Sequence, residues 1–142
     1  VTKVETVLAQ LETDLDSIFG SDKFFRDPEK PPVESECGTL IMRNGDPGQP
    51  TVTLSPVHYQ WEHEVPLEFA AVGENRIATV DAMLLQLDTF LTGNRSLDGN
   101  VIDARVMAAP IIDEVDQAEG AQTIRVAQVM VRLEYDSASP IG

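Results

Sequence analysis

Residues 59–71 read Tyr-Gln-Trp-Glu-His-Glu-Val-Pro-Leu-Glu-Phe-Ala-Ala. Odd positions carry Tyr59, Trp61, His63, Val65, Leu67, Phe69 and Ala71; even positions carry Gln60, Glu62, Glu64, Pro66, Glu68 and Ala70. A period of two is the pattern of a β-strand, whose successive side chains point to opposite faces. The stretch therefore predicts one long strand with an apolar, aromatic face and an acidic face. A strand of this kind needs a sheet around it and a core on one side only. Pro66 has no N–H to give to a ladder, so the pattern predicts an edge strand or a bend near Pro66.

The segments around this strand fill in the fold. Residues 2–19 place Val4, Val7, Leu8, Leu11, Leu15 and Ile18 at helical spacing, which gives one apolar stripe. Thr2 followed by Glu5 forms a capping box, and Gly20 ends the helix. Residues 75–92 form a second helix on Ile77, Val80, Leu84, Leu87 and Leu91, widened by Met83 and Phe90. Residues 26–36 are charged and proline-rich and read as an extended loop. Two short β runs flank Asn44, Gly45, Asp46, Pro47 and Gly48, which is turn chemistry for a hairpin. Residues 101–112 and 123–136 are strand-like, with a turn at Glu119 and Gly120. The order α-β-β-β-α-β-β predicts a single α+β domain over residues 1–142, with two helices packed on one face of a mainly antiparallel sheet.

Charge narrows the function. Twenty-four acids face 10 Lys and Arg, a net charge of −14. Binding a phosphate backbone requires clustered cations, and this sequence has none. The lone cysteine, Cys37, permits no internal disulfide and fits a reducing cytoplasm. No apolar h-region or run of about 18 apolar residues predicts a signal peptide or a membrane span. The Asn94-Arg95-Ser96 sequon has no consequence without secretion.

Catalytic templates fit poorly. His58 and His63 differ by an odd number, so on a strand they face apart. Glu62 shares a face with His58 but lies about 13 Å along the strand. Asp14 with Asp16, and Asp113 with Glu114 and Asp116, read as solvated charges. Cys37 sits in Glu-Ser-Glu-Cys-Gly, a neighbourhood that raises a thiol pKa. No nucleophile elbow, phosphate loop or dinucleotide fingerprint occurs. Trp61 and Phe69 read as core. No catalytic residue, metal ligand or cofactor site is expected, and the residues alone point to a binding or assembly protein.

The arrangement resembles the tail terminator proteins of long-tailed bacteriophages. The likeness covers residues 57–136. A short N-terminal helix opens the chain, and the long alternating strand runs straight into the second helix. Asn94-Arg95-Ser96-Leu97-Asp98-Gly99-Asn100 looks like that family's basic-Leu-Gly-Gly loop leading into a strand, with Asp98 where the family often has its first glycine. A final hairpin ends in a strand like the family's closing one. The resemblance implies a structural virion protein, assembled in the host cytoplasm and located in the tail or neck. Its partners would be its own copies in a hexameric ring, the tail tube protein whose growth it stops, and the head-completion or connector protein. DNA would pass through without specific binding, with which the acidity is compatible, and no membrane is involved. The loop 26–36 and the loop of Gly45, Asp46, Pro47 and Gly48 are long enough to reach a neighbour or the tube; one of them is expected to dock on the tube, and residues 45–48 are expected to be dispensable for folding. Glu62, Glu64 and Glu68, with Arg95, Leu97, Asp98 and Gly99, complete the candidate contact residues. The alternatives are another neck or tail-completion protein, and a small-molecule-binding or enzymatic α+β domain.

Overall fold

A computed structural model describes residues 1–116 and 122–142; the turn expected at Glu119 and Gly120 lies outside them. The elements run α1 (Lys3–Phe19), β1 (Phe24–Arg26), β2 (Thr39–Met42), β3 (Thr51–Thr53), β4 (His58–Val72), α2 (Arg76–Gly93), β5 (Asp103–Val106), β6 (Ile111–Val115) and β7 (Ile124–Ser137). This is the α+β class read from the sequence, with a mostly antiparallel sheet and two helices.

The period-two run is β4. It pairs antiparallel with β7 along almost its whole length, from Tyr59 opposite Ser137 to Val72 opposite Ile124. Odd residues of both strands therefore share one face. Trp61, Val65, Leu67, Phe69 and Ala71 are buried there with Ala127, Val129, Val131, Leu133 and Tyr135. Both helices cover this face, and one core cluster joins Leu8, Leu11 and Leu15 of α1, Val80, Met83 and Leu87 of α2 and the odd residues of the two strands. Phe19 meets Phe69 edge to face, with ring centroids 6.0 Å apart. Full burial of one such side chain contributes about 1.5–3 kcal/mol.

Sequence features account for the helix boundaries. The Thr2 Oγ1 accepts the Glu5 N–H at 3.1 Å, the first half of the capping box. Gly20, at φ 94°, donates its N–H to Asp16 O at 2.8 Å and turns the chain out of α1. In α2 the buried stripe is Val80, Met83, Leu87 and Leu91. Ile77 is exposed, contrary to expectation, and Leu84 and Phe90 are half-buried. The helix is apolar on nearly every side, so spacing alone did not set its rotation.

Four strand expectations need correction. First, β4 is interior, between β7 on one side and β2 and β3 on the other. Pro66 is tolerated because its carbonyl, which accepts the Arg43 N–H at 3.2 Å, faces the gap just past the end of β2. The missing donor thus falls where that ladder is already broken. Second, β2 and β3 do not form a hairpin with each other. They lie in series along β4, β2 against residues 67–70 and β3 against residues 58–60. Third, residues 101–112 do not form one strand. They contribute β5 and the start of β6, again in series, along β7. Fourth, β1 was not foreseen; it runs parallel to β2 from Phe24 opposite Leu40.

Candidate interaction surface

The helices leave the even face of the sheet uncovered, and charged side chains lace it together. Arg132 of β7 reaches across to Glu64 at 3.1 Å and Glu62 at 3.7 Å on β4. On the other side of β7, Arg105 of β5 joins Glu134 at 2.9 Å and Asp103 at 2.8 Å. Arg95, in the loop after α2, closes the row on Asp103 at 2.7 Å. Hydrogen bonds from Arg95 and then Arg105 hold the Asp103 carboxyl down at about 2. On the helix-covered face, Arg76 and then Arg125 keep the Glu114 carboxyl below its ordinary value. Three arginines thus share four carboxylates on the open face, Glu62, Glu64, Asp103 and Glu134.

Next to this lattice lies an apolar groove of about 240 Å³, with Pro66, Ile111 and Met130 on its walls and Arg43 at its rim. A wall of this kind beside a polar lattice suits contact with another macromolecule. Among the described residues, no group of three His, Cys, Asp or Glu stands where it could hold a metal ion.

The expected contact residues separate into three groups. Glu62, Glu64 and Glu68 all lie on the open face, and the first two are partnered by Arg132. The second group, residues 45–48, is not a free loop. Asp46 and Glu64 exchange both backbone hydrogen bonds at 3.2 Å, so the loop folds back onto β4. Gly45, at φ 72°, lies against the Glu64 carbonyl, into which a Cβ would run. Pro47 is half-buried and only Gly48 has open space around it, its N–H capped by Asp46 Oδ1 at 2.8 Å. The expectation that residues 45–48 are dispensable for folding is therefore corrected: the first half is part of the sheet.

The third group is the loop after α2. Leu97 is fully buried and plugs the core, so it offers no contact surface. Leu97, Asp98 and Gly99 have φ of 45°, 58° and 86°. This left-handed run is fastened by the Asp98 N–H on Asn94 Oδ1 at 3.0 Å and the Gly99 N–H on Ser96 Oγ at 3.2 Å. Asp98 also accepts from the Gln10 amide of α1 at 3.3 Å. Arg95, Asp98 and Gly99 remain exposed.

Arg132, Glu134, Asp103 and Arg105 were not among the expected contact residues, although a signal was present. Arg132, Glu134 and Asp136 alternate on the even face as Glu62 and Glu64 do. That signal had no address without the β4–β7 register.

The two histidines face apart, as the strand pattern predicts. His58 is exposed. His63 is buried, with its Nε2 2.6 Å from Asn44 O and its Nδ1 2.9 Å from the Tyr135 hydroxyl. No protein-family model matches the chain, and a search of the curated proteins finds no match either.

Proposed function

We propose that the protein is a structural component of a bacteriophage tail, a terminator that assembles as a hexameric ring on the end of the tail tube. The ring stops tube growth and joins the tail to the head connector, while DNA passes through its centre. The observation that carries this reading is the one-sided sheet: two helices bury one face, and the other stays open as an Arg–carboxylate lattice beside an apolar groove. Such a face suits stacking against protein better than enclosing a small molecule, which calls for a concave site with convergent polar groups. The resemblance of element order and of the Arg95–Leu97–Gly99 loop supports the choice of partner. A net charge of −14 disfavours adhesion to DNA in transit.

The test is particle imaging of purified protein mixed with tail tubes, together with measured tube lengths. The expected result is rings at tube ends and tubes of defined length. Protein that stays off the tube ends, with tubes growing unchecked, would exclude the reading.

A further inference from the structure

Two segments stand apart from the rest of this acidic chain. Residues 47–61 contain no Asp, Glu, Lys or Arg, the longest such run in the sequence, and residues 106–112 form the next longest. Both expose apolar side chains: Val52, Leu54 and Val57 in the first, Met107, Ile111 and Ile112 in the second. The first holds β3 and its turn into β4; the second leads into β6. Among the described residues, β3 pairs only with β4 and β6 only with β7. Each strand therefore presents a row of unpaired backbone N–H and C=O groups on its outer side. The two lie on opposite edges of the sheet and near opposite ends of the long ladder. β3 faces residues 58–60 of β4, whereas β6 faces residues 124–128 of β7, which pair with residues 68–72.

We propose that β3 of one copy adds to β6 of a second copy, head to tail, and that this strand pair is the joint between subunits; the inference rests on the ring reading above. Strand direction favours it. β3 is antiparallel to β4, β4 to β7 and β7 to β6, so β3 and β6 run in opposite senses. Two copies held in the same orientation bring them together as an antiparallel pair. Charge selects the partner. β6 carries Asp113 and Glu114, with Asp116 just beyond. Two β6 edges paired with each other would oppose these carboxylates, which is destabilising. β3 has no carboxylate to oppose them. A joint made from two different edges leaves one edge of each kind open, so it propagates until it closes. Because the edges sit at opposite ends of the ladder, each copy steps along the strand direction, and the strands slant around a closed ring.

Charge variants on β3 test the joint. Thr51 and Thr53 are exposed, and circular dichroism and urea midpoints check that each variant stays folded. Sedimentation velocity over rising concentration reads self-association. The Thr51→Glu, Thr53→Glu variant is expected to lose it by repulsion from β6. The Thr51→Lys, Thr53→Lys variant is expected to associate at about threefold lower concentration, from a favourable cross-strand charge pair with Asp113, the β6 carboxylate on their face. Adding Asp113→Lys to the glutamate variant should restore association. A wild-type protein that is monomeric throughout, association indifferent to these changes, or lysine and glutamate variants that weaken it equally would overturn the joint. The same proteins are then added to tail tubes. Wild type that stops tube growth while remaining monomeric in solution overturns the joint and leaves the terminator reading intact. Charge-dependent association with unchecked tube growth does the reverse.

Discussion

His63 and Tyr135 are joined 2.9 Å apart inside the core, and the Asn44 carbonyl on the other ring nitrogen fixes a single tautomer. Asn44 O can only accept, so His63 Nε2 carries the proton. Nδ1 then accepts from the Tyr135 hydroxyl. The neutral imidazole thereby fastens the 43–46 segment to the strand pair from below, while Asp46 and Glu64 fasten it through the backbone.

This arrangement predicts a stability loss on mild acidification. Burial lowers the His63 pKa below its ordinary 6.5. The unfolded chain therefore binds the proton first as pH falls, and stability drops from about pH 6.5 downward, until pH passes the folded value. Urea midpoints at pH 7 and pH 5 should fall for wild type and fall less for His63→Gln. Equal falls in both proteins would assign the effect to carboxylates instead.

Tyr135→Phe should cost about 1–3 kcal/mol, because it leaves Nδ1 of a buried histidine without its donor. Burial pushes the Tyr135 hydroxyl well above its ordinary value. Wild type should thus lose stability as pH rises above about 10, where the unfolded tyrosine ionises first, and Tyr135→Phe should lose less over that range. Urea titrations at pH 7, 9 and 10.5 check both statements.

Trp61→Ala should destabilise by about 3–5 kcal/mol. Its indole is buried, and its Nε1–H donates to Ser137 Oγ at 2.8 Å. Ser137→Ala removes only that acceptor and should cost about 1–3 kcal/mol. A Trp61→Ala midpoint equal to wild type would mean that the odd face of β4 is not the core.

Gly45 and Gly48 should respond differently to alanine, although both have positive φ. Gly48→Ala meets no neighbour and should cost about 1 kcal/mol from backbone strain alone. Gly45→Ala must also displace the Glu64 carbonyl and break the Asp46 bridge, so its loss should be clearly larger. Thermal unfolding of the two variants side by side decides it.

The long strand was legible because period two needs no partner to be recognised: Trp61, Val65, Leu67 and Phe69 lie where the alternation put them. The helices were legible at their ends, where Thr2 and Gly20 act locally. Pairing was not. The turn residues 44–48 signal a reversal, yet the partner of each flanking strand is set by β4, which is long enough to seat β2 and β3 one after the other. β1 spans only Phe24–Arg26, too short for any period. In the contact surface, Glu62 and Glu64 could be placed by parity, whereas the arginines opposite them required the register. Leu97 was misjudged because a loop position was equated with exposure; as the one large apolar side chain among residues 92–100, it had a signal pointing to burial.

The central position of β7 has a consequence for how the molecule is made. β4, β5 and β6 all pair with this strand, which is synthesised after all three. Until residues 124–137 have emerged, one side of β4 has no native strand to accept it, and its contacts with β7 are distant in sequence. Such a topology folds slowly and exposes unpaired strand to other nascent chains in the interval. Glu62, Glu64 and Glu68 lie along that waiting strand, and carboxylates opposite carboxylates discourage two unfinished copies from pairing through it. On the ribosome, before Arg132 is available to partner them, the same side chains act as gatekeepers against aggregation.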